Sequence, residues 1–129
     1  MIVYLDASAL VKRYVSEKGS REVRALMAAA GSVGTALISR AETAAALAKA
    51  SRMGLISRKA ALAALGDFRQ DWEDLVRVHL SEPLMARAEG LCWEHGLRGY
   101  DAVHLAAAAF WQEALNEPIV LATFDKQLW

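Results

Sequence analysis

The chain has 129 residues, 55% of them hydrophobic, and its 15 Lys and Arg balance 15 Asp and Glu to zero formal net charge. That size and apolar fraction suit one domain with a full core and exclude intrinsic disorder. The lone cysteine, Cys92, allows no internal disulfide and points to a reducing, cytoplasmic setting; no uncharged stretch nears the roughly 18 apolar residues of a membrane span, and no cationic leader precedes the apolar run at Ile2.

In chain order, Ile2 to Leu5 is an apolar, β-branched run closed by Asp6, which reads as a buried strand. Ser8 is the expected cap of a helix carrying Leu10, Val11, Tyr14 and Val15, and Val23, Leu26, Met27 and Ala30 mark a second. After the punctuation of Gly31 and Gly34, Thr35 to Ile38 reads as strand two, and Ser39 opens a helix through Ala50. Ser57 caps the next, whose stripe of Ala61, Leu65, Phe68, Trp72 and Leu75 faces either the core or a partner. Val76, Val78 and Leu80 alternate as strand three, and a helix follows from Ser81 with Pro83 in its first turn. Gly96 and Gly99 break it before a helix from about Asp101 to Leu115, and Ile119 to Ala122 is strand four. Trp72, Trp93 and Trp111 are expected in the core or at an interface. The alternation predicts a three-layer α/β/α domain over residues 1–129, with a mainly parallel sheet of about four strands.

In such sheets ligands sit beyond the carboxyl ends of the strands. Asp6 ends strand one, Glu42 lies in the helical turn after strand two, Asp101 opens the helix before strand four, and Asp125 follows strand four. Each acid has an ordinary explanation: Ser39 and Glu42 stand at the spacing of a capping box, Asp101 suits a helix N-terminus, and Asp125 suits a turn. Together they form a rim of like charges, each pair at 4 Å repelling by about 1 to 4 kcal/mol. A divalent cation resolves that repulsion, and all-oxygen ligands favour Mg²⁺ or Mn²⁺. His104, one turn after Asp101, is a candidate to support the site or carry a proton. No GxGxxG, GxxxxGK[ST], CxxC or GxSxG is present, so dinucleotide, P-loop, cysteine-metal and serine-hydrolase readings lack their residues.

The segments VYLDASALVKRY, ISRAETAAALAKA, LRGYDAVHLAAA and VLATFDKQLW resemble, in order and spacing, the four acidic motifs of PIN-domain ribonucleases. The nearest likeness is to the VapC toxins of toxin–antitoxin pairs. The resemblance covers the whole chain and implies a Mg²⁺- or Mn²⁺-dependent endoribonuclease with Asp6, Glu42, Asp101 and Asp125 as catalytic, metal-binding acids and Ser8 and Thr123 as accessory hydroxyls. It also implies a homodimer, and a VapB-type antitoxin as inhibitor. Such proteins continue past the fourth acid through a helix and an edge strand, whereas four residues follow Asp125 here; either the sequence is shortened or this member lacks that strand, and Asp125 is expected to be less firmly held than in its relatives, its metal role the least secure of the four. Two other readings are a PIN-domain nuclease of RNA processing that is no toxin, and a silent PIN-fold binding module; degenerate relatives of the second kind lose acids, and this chain keeps four. A phosphatase with Asp6 as nucleophile generally wants an Asp two positions on, where Ser8 stands.

The charges are unevenly distributed: residues 1–66 carry a net +6 and residues 67–129 a net −6. Lys49, Arg52, Arg58 and Lys59, with no acid between Glu42 and Asp67, are the first candidates to track an RNA backbone, and Lys12 and Arg13 the second. An antitoxin is expected to lay a helix on the stripe of Ala61, Leu65, Phe68 and Trp72 and to send a basic side chain toward Asp6, Glu42 and Asp101.

Overall fold

A computed structural model of the chain describes residues 1–125. In β1 (Ile2–Leu5) the last three side chains are fully buried, as expected of a strand covered on both faces. It lies inside a sheet of order β3-β2-β1-β4 with β2 (Ser32–Ala36), β3 (Val76–Val78) and β4 (Val120–Ala122), every pair parallel. Tyr4 stands opposite Gly34 on one side and Leu121 on the other.

Parallel neighbours need crossovers, and helices make each one. Between β1 and β2 run α1 (Ala7–Leu10), a 3₁₀ turn (Val11–Arg13) and α2 (Ser20–Ala29). The hairpin of α3 (Ser39–Arg52) and α4 (Arg58–Trp72) leads from β2 to β3, and α5 (Glu82–His95) and α6 (Gly99–Leu115) lead from β3 to β4. Tyr4, Ala36, Leu84, Ala88 and the alanine-rich face of α6 with Trp111 form one core layer; Val3, Leu5, Leu10, Val23, Phe68, Trp72 and Leu75 form the other. The three-layer α/β/α class expected from the alternation is the one observed.

Ser57 and Ser81 cap α4 and α5 as expected, each accepting a backbone N–H, from Ala60 at 3.0 Å and Leu84 at 3.3 Å. Three expectations are corrected. The cap of α1 is Asp6, not Ser8, because the Asp6 carboxylate accepts from Ala9 N. Strand two begins three residues earlier than expected and takes in Gly34, since Trp111 lies so close that a Cβ there would fall 2.6 Å from its ring. Phe68 and Trp72 are not partner-facing: they pack edge to face at 5.5 Å in the core, beside Tyr14. Cys92 is half-buried against the α6 layer, whereas Trp93, expected in a core or interface, is 87% exposed on α5. Among the described residues no helix is long and apolar enough to cross a membrane. The expected loss of an edge strand after Asp125 concerns residues outside those described.

Candidate active site

Asp6 is the first residue past β1, and both its oxygens are occupied. Oδ1 accepts from Ser8 Oγ at 2.6 Å and Ala9 N at 3.0 Å, and Oδ2 accepts from Thr123 Oγ1 at 2.5 Å. Thr123 in turn accepts from Asp125 N at 2.9 Å, and Ser8 Oγ accepts from Phe124 N at 3.0 Å. The two hydroxyls named from the sequence thus stitch the end of β1 to the segment after β4.

Glu42 sits in the first turn of α3, but it does not close a capping box with Ser39. Ser39 Oγ is buried against Thr35 Oγ1 at 2.6 Å, and Thr35 donates to Leu5 O, which fastens the starts of α3 and α1 to the same rim. Glu42 instead reaches across to α6, with Oε1 2.8 Å from His104 Nε2. His104 is buried, and its Nδ1 lies 2.7 Å from the Tyr4 hydroxyl. The arrangement that satisfies all three groups has Tyr4 donating to Nδ1 and Nε2–H donating to Glu42. Burial, and then the charges of Asp6 and Glu42, push the Tyr4 hydroxyl far above its ordinary range, so it keeps its proton.

Asp101, in the first turn of α6, is buried, and Arg98 joins it to Asp125. Arg98 Nε donates to Asp101 Oδ2 at 3.1 Å and Arg98 Nη2 to Asp125 Oδ2 at 2.8 Å. Burial first, and then hydrogen bonding with the Asp125 carboxyl, push the Asp101 carboxyl above the usual carboxylate range, against the opposing pull of Arg98. Asp125, expected to be less firmly held than in relatives, has its side chain 13% exposed and is tied both to Arg98 and, through its backbone, to Thr123. Arg98 was not singled out in the sequence; its one signal was standing three residues before Asp101, an i,i+3 pairing across a helical turn.

Asp6, Asp101 and Asp125 are therefore linked through Thr123 and Arg98, with Glu42 reaching the same rim by way of His104. Among the described residues no three acidic or imidazole groups converge into a closed cage for an ion. A hard cation does not require one, because Mg²⁺ commonly takes one or two carboxylates and completes its shell with waters and phosphate oxygens. The donors are all oxygen, and Asp101 and Asp125 already hold a cationic group between them, so the residues present suit such an ion.

The basic candidates are dispersed. Lys49, Arg52, Arg58 and Lys59 are all exposed at the tip of the α3–α4 hairpin, and Arg52 stands ten residues, about 15 Å of helix, beyond Glu42. Lys12 and Arg13 do not form one patch, because neighbours on a 3₁₀ turn diverge. Lys12 bonds Glu17 and the Lys18 carbonyl and rests 4.5 Å from the centre of the Phe124 ring. Arg13 points to Asp71 at 3.7 Å and lines a cavity of about 440 Å³ where β2 begins, at the opposite end of the sheet from the acids.

The PIN domain family matches residues 3–128. Two Mycobacterium tuberculosis proteins, Ribonuclease VapC45 and Ribonuclease VapC49, are each 36% identical to the chain, covering 98% of it and 86% of the relative. The chain belongs to the PIN-domain family, as a ribonuclease of the VapC type. Solved structures of lower identity share the VapC fold. The crystal structure of Mycobacterium tuberculosis VapC20, described as a sarcin-ricin loop cleaving toxin, superposes with TM-score 0.69 at 18% identity, over 98% of this chain and 92% of that one. The Rickettsia felis VapBC2 complex, bound to a DNA fragment from its promoter, gives TM-score 0.63 at 16% identity, over 97% of this chain and 100% of that one.

Proposed function

We propose that this VapC-type ribonuclease is a Mg²⁺- or Mn²⁺-dependent endoribonuclease toxin with Asp6, Glu42, Asp101 and Asp125 as its working acids. The observation that carries the reading is the Asp101–Arg98–Asp125 arrangement: two acids from separate elements of one rim, already gathered around a cation and bridged to Asp6 by Thr123. A divalent ion would be held by Asp6, Asp101 and Asp125, and would supply Lewis-acid polarisation of the phosphodiester and make water a stronger acid. The chain's own residues do the positioning. Ser8, Ala9 N and Thr123 fix the plane of the Asp6 carboxylate, and His104, set by Tyr4, fixes Glu42 through Oε1, leaving Oε2 as the basic atom to take a proton from the attacking water. In-line attack then leaves a 5′-phosphate and a 3′-hydroxyl.

A VapB-type antitoxin is the proposed inhibitor. Its helix is assigned to the groove between α3 and α4, about 270 Å³, lined by Ala44, Leu47, Ala48, Ala61, Leu62 and Leu65 and edged by Arg52 and Arg58. This replaces the Phe68 and Trp72 surface expected from the sequence. Self-association as a homodimer and a cytoplasmic setting belong to the same reading, the first being tested by sedimentation of the isolated chain.

The experiment for the function is cleavage of RNA by charge-removing, volume-keeping variants. Asp6→Asn, Glu42→Gln, Asp101→Asn and Asp125→Asn are each expected to lower the rate by about 10² to 10³ or more while leaving circular dichroism unchanged. Wild-type cleavage by Asp6→Asn refutes the metal-nuclease reading and leaves a fold that only binds.

A further inference from the structure

We propose that Arg98 is a substrate-binding residue parked on the acids: its guanidinium exchanges Asp101 and Asp125 for the scissile phosphodiester when a divalent ion enters. The inference rests on the site being the divalent-metal ribonuclease centre proposed above.

Arg98 is the N-cap of α6, and its side chain, which has no acceptor with which to cap the helix, reaches Asp101 in the first turn and Asp125 beyond β4. It approaches them from the solvent side, being 55% exposed where the Asp101 and Asp125 side chains are 3% and 13% exposed. The cation therefore lies across the mouth of the acidic site rather than within it. Two hydrogen bonds leave most of the guanidinium's donors unspent. Its guanidinium carbon lies 5.3 Å from the centre of the half-exposed Tyr100 ring, a cation–π contact that does not depend on the acids.

The same two carboxylates cannot hold a guanidinium and a divalent ion at full strength, because the two cations repel at contact range. An entering ion loosens Arg98 without removing it, since the N-cap backbone tethers it at the mouth. The ion takes over the carboxylate charge of Asp101 and Asp125 that now holds Arg98, so the guanidinium on the solvent-facing side loses its partners while the acids keep the ion. A phosphodiester is the ligand that replaces those partners, and its paired oxygens match the planar fork of Arg better than the point charge of Lys.

The test uses the full chain with Arg98→Gln and Arg98→Lys. Calorimetric titration with Mn²⁺ in the absence of RNA is expected to show Arg98→Gln binding the ion several-fold more tightly than wild type. Steady-state cleavage of a single-stranded RNA at saturating Mn²⁺ is expected to show KM raised by about tenfold or more in Arg98→Gln, with Arg98→Lys failing to restore it. Unchanged or weaker Mn²⁺ binding by Arg98→Gln overturns the parking, and an unchanged KM overturns the phosphate contact. Should Arg98→Gln not fold, Arg98→Lys decides: a raised KM at wild-type melting temperature supports the inference, and a wild-type KM overturns it. A wild-type protein that fails to bind Mn²⁺ or to cleave RNA overturns the proposed function, and this inference with it, whereas normal wild-type behaviour beside silent Arg98 variants overturns the inference alone.

Discussion

Asp101 is 2% exposed, and its carboxyl is held above the ordinary range chiefly by burial and secondarily by Asp125. A carboxyl whose folded value exceeds its unfolded value favours the fold while protonated, and that contribution is lost as pH rises through the folded value. In the absence of metal, stability is therefore expected to decline as pH climbs from the ordinary carboxylate range through the raised value of Asp101. Mn²⁺ affinity is expected to rise over the same interval, because the ion needs the deprotonated acid. Asp101→Asn should flatten the stability profile; thermal melts of both proteins across that interval check this, and parallel curves would contradict the assignment. The four acids were legible in the sequence because each closes or follows a strand, or opens a helix, at one predicted rim. Ser8, Thr123 and His104 were named as supporting residues too, but the contacts they make were not legible, and neither was Arg98. The Glu42–His104 contact joins residues 62 apart, and a lone Arg before a helix looks the same whether it faces water or a carboxylate.

Gly34 shows why one strand was misplaced. Glycine inside a strand pattern reads as a break, but here it makes room for the Trp111 ring against the backbone of β2, and that is a tertiary fact. Gly34→Ala would place a methyl group 2.6 Å from Trp111 Cζ3 and force the ring or α6 to shift. A loss of about 1 to 3 kcal/mol is expected in urea unfolding, with the far-UV spectrum kept; unaltered stability would mean that the ring moves aside freely. The caps of α4 and α5 were readable because Ser57 and Ser81 act locally, within three residues. The stripe on α4 was readable as apolar but not as to its neighbour. Phe68 and Trp72 turn under the sheet, whereas Ala61, Leu62 and Leu65 line the groove shared with α3.

For the molecule as a whole, the split between a positive first half and a negative second half is not mirrored by one basic face. Lys49, Arg52, Arg58 and Lys59 project together from the hairpin tip, while Lys12 and Arg13 are engaged separately. If the hairpin tip tracks the RNA backbone, replacing all four tip residues with Ala should weaken binding across sequences and reduce the salt slope by about 0.7 per lost phosphate contact. Titrations of single-stranded RNA at several salt concentrations measure this, and an unchanged slope would move the backbone track elsewhere. The strand order has a separate consequence for biosynthesis. Asp6 and Thr123, hydrogen-bonded in the folded protein, are separated by 117 positions, and β4 lies beside β1 although it is synthesised last of the described strands. A ribosome therefore releases Asp6 early and the segment that orders it late, and while β4 is still inside the exit tunnel the nascent polypeptide has no assembled centre. The topology of the sheet thus delays assembly of the acidic rim in each nascent chain until β4 has emerged.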